Sequence, residues 1–164
     1  MLKVLLVDDD PEEFDLLQLG FSIVDQSVKL LFAECCKDLL EQIDKFSPDI
    51  IFMDINLPRF TGVEWLKLIR AIPAYRSLCI IMYSTTRDRS TIKESYHAQA
   101  NFYVVKPSSI QGLEFVLRKV LETDWSQCSK PTFENFVIHY SAESHGVMLT
   151  TGDVAIGLNN GRVG

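Results

Sequence analysis

Basic charge is scarce in this chain of 164 residues, which carries a formal net charge of -6. Nucleic-acid-binding modules normally present a basic patch to phosphates, and anionic membrane surfaces also attract basic segments. Neither a nucleic acid nor a membrane is therefore expected as the main partner. No apolar run reaches the roughly 18 residues that a membrane-spanning helix needs, and the start MLKVLLVDDD lacks the flanks of a signal peptide.

Metal-ligand spacings of cysteine and histidine are absent as well. No CxxC pair occurs among the four cysteines, and the three histidines form no pair at ligand spacing. We therefore expect reduced thiols that mostly fill the core, and reduced thiols favour a cytoplasmic location. The chain is 47% hydrophobic, enough to build a core without disulfides or structural metal. The cysteines are Cys35, Cys36, Cys79 and Cys128.

Short apolar runs alternate with helical patterns through the first three quarters of the chain. Because the apolar runs are continuous, they predict strands buried on both faces. The pattern indicates an α/β fold, a doubly wound parallel sheet of five strands with helices on both faces. The predicted strands are 2–7, 28–33, 49–53, 78–83 and 102–105, and the predicted helices follow them at 11–24, 37–46, 63–72, 89–99 and 108–121.

Polar side chains follow four of the five predicted strands. Asp8 and Asp9 come after the first strand, Asp54 after the third, Ser84 after the fourth and Lys106 after the fifth. The carboxyl ends of parallel strands meet at one edge, so these groups should converge. Clustered carboxylates favour Mg²⁺, and a carboxylate beside a cation and an ammonium can accept a phosphoryl group. Taken singly, each group is more typical of a helix cap or a turn.

Four motifs at these positions carry a resemblance to a known family. They read LLVDDDP at 5–11, IIFMDINLPRFTG at 50–62, IIMYS at 80–84 and YVVKP at 103–107. In these motifs and their spacing, residues 1–123 resemble the receiver domain of two-component response regulators. The resemblance implies a flavodoxin-like strand order of 2-1-3-4-5 and leaves residues 124–164 as a C-terminal extension.

By this resemblance, Asp54 is the phosphorylation site. Asp8 and Asp9 are expected to bind Mg²⁺ together with the Asp54 carboxylate and the backbone carbonyl of Asn56. Asp10 lies outside that acid pair and is interpreted as the cap of the first helix, which begins with a proline.

The same resemblance assigns the groups that respond to the phosphate. Ser84 would be the switching hydroxyl, Lys106 would bind the phosphoryl group, and Tyr103 would turn inward as Ser84 moves. Thr85 or Thr86 could take the place of Ser84, but the register favours Ser84. The bond between Lys106 and Pro107 is expected to be cis. The family usually has a small residue after the switching hydroxyl. Here Thr85 follows it, and we expect its branched side chain to slow phosphate exchange.

The partners implied by the resemblance are proteins. A sensor histidine kinase or a histidine phosphotransfer protein would donate the phosphoryl group in a phosphorelay. A downstream target would read the surface of the fourth helix, fifth strand and fifth helix, and a homodimer is left open. No enzymatic activity is expected beyond self-phosphorylation from phosphodonors and autodephosphorylation. The extension lacks the length and basic residues of a DNA-binding output domain, which favours a stand-alone receiver.

The extension has a different character, since five of the eight glycines lie from Gly146 onward. A loosely ordered tail is one interpretation. Docking of its apolar residues on the domain or on a partner is the other, with a weak hairpin signal at 147–158. The apolar residues concerned are Phe133, Phe136, Val137, Ile138 and Tyr140.

Two other functions compete with the signalling receiver. A phosphohydrolase of the haloacid-dehalogenase type also uses an aspartate nucleophile with Mg²⁺. Such enzymes usually carry a general acid two residues after the nucleophile, where this chain has Asn56, and an acid pair after the lysine rather than before it. A pseudo-receiver that only scaffolds partners would not need the intact acceptor set.

Overall fold

The structure is a computed structural model, and it describes residues 1–34, 38–123 and 131–141. The hairpin predicted within 147–158 and three of the cysteines, Cys35, Cys36 and Cys128, lie outside these residues. Within the described residues, no helix combines the length and the apolar character that crossing a bilayer requires.

Strands and helices alternate along the described chain, close to the predicted bounds. The strands are β1 (Lys3–Asp8), β2 (Lys29–Glu34), β3 (Ile50–Met53), β4 (Cys79–Ser84), β5 (Phe102–Val105) and β6 (Val137–Ile138). The helices are α1 (Pro11–Val24), α2 (Leu39–Phe46), α3 (Gly62–Ala71), α4 (Arg89–His97) and α5 (Ile110–Glu122).

All strands pair in parallel in one sheet, in the order β2-β1-β3-β4-β5-β6. The predicted α/β class and the order 2-1-3-4-5 are confirmed. The sheet also gains β6, which the sequence did not predict as a strand. Two residues are too few to show a period, so the sequence indicated only docking of this region as one of two alternatives.

The sheet separates two apolar cores, because successive strand side chains point to opposite faces. Leu5 and Val7 face the side covered by α2, α3 and α4, whereas Val4 and Leu6 face the side covered by α1 and α5. All four are fully buried, which explains why the strands appear in the sequence as continuous apolar runs.

Side-chain caps set the helix starts at the edge of the sheet where the strands end. The Asp10 carboxylate accepts the backbone N–H of Glu12, as predicted for the start of α1. Thr61 and Glu64 form a reciprocal capping box at the start of α3. These caps direct each chain segment from its strand end into a helix, so the connecting loops stay short and their side chains stay at the edge.

The prediction of a cis bond between Lys106 and Pro107 is wrong. The described part of the chain contains no cis peptide bond. A proline leaves the two isomers within roughly 0.5–1 kcal/mol of each other, so tertiary context decides between them.

Residues 131–141, called the docked segment below, lie along the side of β5 that faces away from β4. Tyr103 and Val104 of β5 pair with Val137 and Ile138. The segment also buries His139, which is 8% exposed. Neither ring nitrogen of His139 has a hydrogen-bond partner among the described residues. Burial, followed by the nearby charge of Arg87, lowers the pKa of His139 below its ordinary value of 6.5.

Acidification should therefore weaken the docking of this segment. At a pH below the ordinary pKa, His139 binds more protons in the undocked segment than in the docked one. Docking is thus strongest above about pH 6.5 and weakens as the pH falls through the lowered pKa. Amide exchange of residues 131–141, compared at about pH 7.5 and about pH 5.5 after correction for intrinsic rates, measures this. His139→Phe should remove most of the pH dependence, and an unchanged dependence in this variant would contradict the account.

Candidate functional site

The ends of four strands place the predicted polar groups at one edge of the sheet. Val7 pairs with Met53, so Asp8 and Asp54 follow neighbouring positions, and the Asp54 N–H donates to the Val7 carbonyl at 2.9 Å. On the other side, the Lys106 N–H donates to the Ser84 carbonyl at 2.9 Å. Backbone pairing therefore positions these side chains before any of them contacts another.

The ammonium of Lys106 lies among three carboxylates. Its Nζ is 2.8 Å from Asp8 Oδ2, 3.4 Å from Asp54 Oδ1 and 3.4 Å from Glu13 Oε1. It also lies 5.2 Å from the centroid of the Tyr83 ring. The Lys106 side chain is only 10% exposed and that of Asp8 only 2%. The predicted convergence of Asp8, Asp54 and Lys106 is present, and Glu13 joins it.

Glu13 was not among the predicted site residues. It lies in the first turn of α1, where an acidic residue is usually explained by the helix dipole. Its position five residues after Asp8 was the only available signal, because the first turn of a helix that follows β1 must pass over the same edge.

Burial and charge act against each other in this cluster. Burial alone would lower the pKa of Lys106, but the hydrogen bond to Asp8 and the charges of Asp54 and Glu13 raise it above its ordinary value. Burial raises the pKa of Asp54, opposed by Lys106 and by the Asn56 amide. Burial likewise raises the pKa of Glu13, with Lys106 opposing. The lysine is thus held charged and supplies the positive charge on which the carboxylates depend.

The loop after β3 presents the Asp54 carboxylate to the edge. Asp54 is 5% exposed, and its Oδ2 accepts the backbone N–H of Asn56 at 2.7 Å. The backbone at Gly62 passes so close to Asp54 that a Cβ on Gly62 would lie 1.9 Å from the Asp54 carbonyl oxygen. Only glycine fits at this position, which explains the glycine of the motif at 50–62.

Ser84 and Tyr103 lie together behind the acidic cluster. Both are fully buried, and the Tyr103 hydroxyl donates to the Thr86 carbonyl at 2.9 Å. Burial raises the pKa of Tyr103, and a hydrogen bond with the Ser84 side chain opposes this. The Tyr103 ring is therefore inward in this structure. Thr85, which follows Ser84, is exposed.

The oxygen donors of this edge fit Mg²⁺ without forming a complete protein cage. Among residues 1–34, 38–123 and 131–141, no three or more histidine, cysteine or acidic side chains are grouped as metal ligands. Mg²⁺ keeps several waters and needs only one or two carboxylates. Asp8 and Asp54 satisfy that need, since both already share one cation, Lys106. Asp9, which follows Asp8 in the chain, is exposed. Ligation of Mg²⁺ by Asp8, Asp9, Asp54 and the Asn56 carbonyl stays a prediction.

Comparison with known proteins identifies the family. Residues 4–118 match the model of the response regulator receiver domain. The chain belongs to this receiver family. Receiver domains act in phosphoryl-transfer signalling and in general bind Mg²⁺. No finding favours the haloacid-dehalogenase alternative.

Individual relatives agree with this assignment. The chain is 30% identical over 133 residues to the hybrid signal transduction histidine kinase C of Dictyostelium discoideum, covering 77% of this chain and 10% of that protein. It is 28% identical over 127 residues to the sensory transduction protein LytT of Bacillus anthracis, covering 77% and 50%. The crystal structure of response regulator RPA3017, in red light signalling of R. palustris, superposes with a TM-score of 0.70 at 27% identity, covering 80% and 99%. The chain spans about half the length of LytT and of four other curated relatives, and a smaller share of the hybrid kinase.

Replacing the central lysine of this receiver should destabilise it strongly. Lys106→Met leaves Asp8, Asp54 and Glu13 without their cation, and breaking such a buried pair costs about 3 kcal/mol. Mg²⁺ should restore more stability to this variant than it adds to the unchanged protein, because it returns the missing positive charge. Urea unfolding with and without Mg²⁺ measures both effects.

A matched control is Lys67→Met. Lys67 pairs with Glu94 at 2.8 Å, and both side chains are more than half exposed. Its loss should cost less than about 1 kcal/mol and should not change the response to Mg²⁺. Equal costs for the two variants would show that Lys106 does not neutralise the cluster.

Proposed function

We propose that Asp54 accepts a phosphoryl group from a histidine kinase or a histidine phosphotransfer protein, and that the protein signals through contacts with other proteins. The observation that carries this proposal is the ion-pair cluster in which the buried Asp54 and Asp8 share Lys106. We place the reaction in the cytoplasm, where reduced cysteines persist.

The two oxygens of Asp54 have different environments, which suits them to different tasks. Oδ2 is held by the Asn56 amide, whereas Oδ1 faces Lys106 at 3.4 Å. An Asp54 oxygen would attack phosphorus, forming an O–P bond while the bond from phosphorus to the donor nitrogen breaks. The donor imidazole keeps the electron pair, and the product is an acyl phosphate. Mg²⁺, when bound, would neutralise charge on the transferring oxygens.

Lys106 would then exchange partners. Before transfer, its ammonium neutralises Asp8, Asp54 and Glu13. The phosphoryl group adds about two negative charges at Asp54, so it competes with Asp8 for the ammonium. The short hydrogen bond to Asp8 would be replaced by one to a phosphoryl oxygen, as expected for a lysine that binds phosphate as a point charge.

Ser84 would report the transfer to the remainder of the domain. Its hydroxyl is buried beside the hydroxyl of Tyr103, so a shift of Ser84 towards the phosphoryl group changes what Tyr103 contacts. Thr85 is exposed and directly follows Ser84, so its branched side chain would crowd the approach of a donor or a hydrolytic water. This position supports the expectation that Thr85 slows phosphate exchange.

A surface for the phosphodonor lies next to the site. Helix α1 begins at the acidic cluster, and its outer face exposes Leu16, Leu19 and Ile23, each at least 44% exposed. An apolar stripe of this kind on a helix whose other face is already in the core suits a protein partner. We propose that the donor protein packs on this stripe while its phosphohistidine reaches Asp54.

Phosphorylation by a small donor tests the proposal. Incubation with acetyl phosphate and Mg²⁺ should add one phosphoryl group, measured as an intact-mass adduct that Asp54→Asn abolishes. The asparagine cannot form an acyl phosphate but keeps the size of the side chain.

The same experiment separates the alternatives. Rapid turnover of phosphate esters would support a phosphohydrolase, and a complete absence of adduct in the unchanged protein would support a scaffold. Asp15→Asn is a suitable control, because Asp15 is an exposed aspartate on α1. It should retain the full adduct.

A further inference from the structure

The docked segment, residues 131–141, covers the surface formed by α4, β5 and α5. Its strand β6 pairs with β5, and the Tyr103 N–H donates to the Phe136 carbonyl at 3.0 Å. The hydrogen-bonding edge of β5 is therefore already used by the chain itself. A protein partner could not add a strand to this edge while the segment is docked.

Aromatic contacts hold the segment on the α4 side. Phe136 is fully buried, and its ring centroid lies 5.1 Å from that of Tyr96 on α4, with the rings nearly perpendicular. The Phe133 ring lies 5.1 Å from the same tyrosine. The Tyr96 hydroxyl also donates to the Pro131 carbonyl at 3.3 Å. These are favourable edge-to-face arrangements for aromatic pairs.

The far end of the segment is held on the α5 side. The Tyr140 ring lies 5.7 Å from that of Phe115. Tyr140 also lies over Gly112, where a Cβ would come within 2.8 Å of the tyrosine ring. The segment therefore contacts all three elements of the surface that we expected a downstream target to read.

The segment also contacts the predicted switch residue directly. The Phe136 ring lies 6.4 Å from that of Tyr103, and both belong to the same apolar core. Tyr103 is fully buried, with its hydroxyl on the Thr86 carbonyl. A rotation carrying the Tyr103 ring outward past β5 would enter the space occupied by Phe136 and Val137. Docking of the segment would therefore disfavour an outward Tyr103.

We propose that the docked segment is an internal ligand of the α4–β5–α5 surface and that its docking is coupled to phosphorylation of Asp54. The inference rests on the proposed function. A phosphoryl group that draws Ser84 away from Tyr103 favours the inward ring, which favours docking. By thermodynamic reciprocity, the docked segment favours phosphorylation to the same degree. The Tyr103 ring is inward in this structure, as expected if the docked segment favours that position.

The output of the switch then depends on whether the segment is docked. Undocking would expose the β5 edge together with the apolar faces of Tyr96 and Phe115. The occupant of that surface in the phosphorylated state is residues 131–141, so a partner that needs the bare edge would bind the unphosphorylated form. A coupling of typical size corresponds to a change of at least about fivefold in the docking equilibrium.

Hydrogen exchange of the full chain tests the first direction of the coupling. Treatment with acetyl phosphate and Mg²⁺, with the adduct followed by intact mass, should slow amide exchange at Tyr103 and Ile138 by at least about fivefold. Amides of β2, at the opposite edge of the sheet, are the internal reference. An adduct with unchanged exchange in β6 would overturn the coupling while leaving the proposed function intact. A missing adduct would overturn the proposed function, and the coupling with it.

Substitution of Phe136 tests the reverse direction. Phe136→Ala should weaken the equilibrium binding of beryllofluoride, a phosphoryl mimic, with Mg²⁺ by at least about fivefold, because it loosens the segment and permits the outward Tyr103. Phe136→Leu keeps the core filled and should give an intermediate affinity, which guards against a simple folding defect. Phe46→Ala, at the opposite end of the sheet, is the control and should keep the original affinity. Equal affinities for all four proteins would contradict the proposal.

Discussion

The interaction on which the site depends is the sharing of one ammonium by three carboxylates. Asp8 and Asp54 are almost completely buried, and burying such charges is strongly unfavourable unless a cation compensates them. Lys106 provides that compensation, with Nζ 2.8 Å from Asp8 and 3.4 Å from Asp54. The arrangement is stable, but it is also exchangeable. Any new anionic group on Asp54 competes for the same ammonium, and any divalent cation competes with the ammonium for the same carboxylates.

The short strand β5 connects this cluster to the rest of the molecule. Tyr103 lies within β5, and Lys106 follows the strand directly. In the proposed switch, Lys106 would respond to phosphorylation of Asp54. Tyr103 contacts the docked segment through its backbone N–H and its ring. Because β5 is paired on both sides, by β4 and by β6, a change at either residue would act on an ordered strand rather than on an unpaired edge. This explains how an event at the strand ends can alter a surface on the side of the sheet.

The features that could be predicted from the sequence are those that depend on local sequence patterns. Continuous apolar runs indicated the five parallel strands, and Asp10 with the following proline indicated the start of α1. The strand ends then placed Asp8, Asp54 and Lys106 together, because parallel strands leave little choice of edge.

Other features depend on tertiary contacts that no local pattern contains. Glu13 joins the cluster through its contact with Lys106, whereas its position in the first turn suggested an ordinary helix-dipole residue. Strand β6 is too short to show a period, and its apolar residues were compatible with docking on the domain or on a partner. The trans bond before Pro107 reflects a small energy difference between isomers that the surrounding structure decides.

The position of Lys106 Nζ with a phosphoryl mimic bound tests the central claim most directly. A crystal structure of the full chain with Mg²⁺ and beryllofluoride on Asp54 would measure it. The account predicts that Nζ leaves Asp8 and lies within about 2.7–2.9 Å of a fluorine atom, as in a charge-assisted hydrogen bond. An ammonium that keeps its contact with Asp8 and makes none with the beryllofluoride would contradict it.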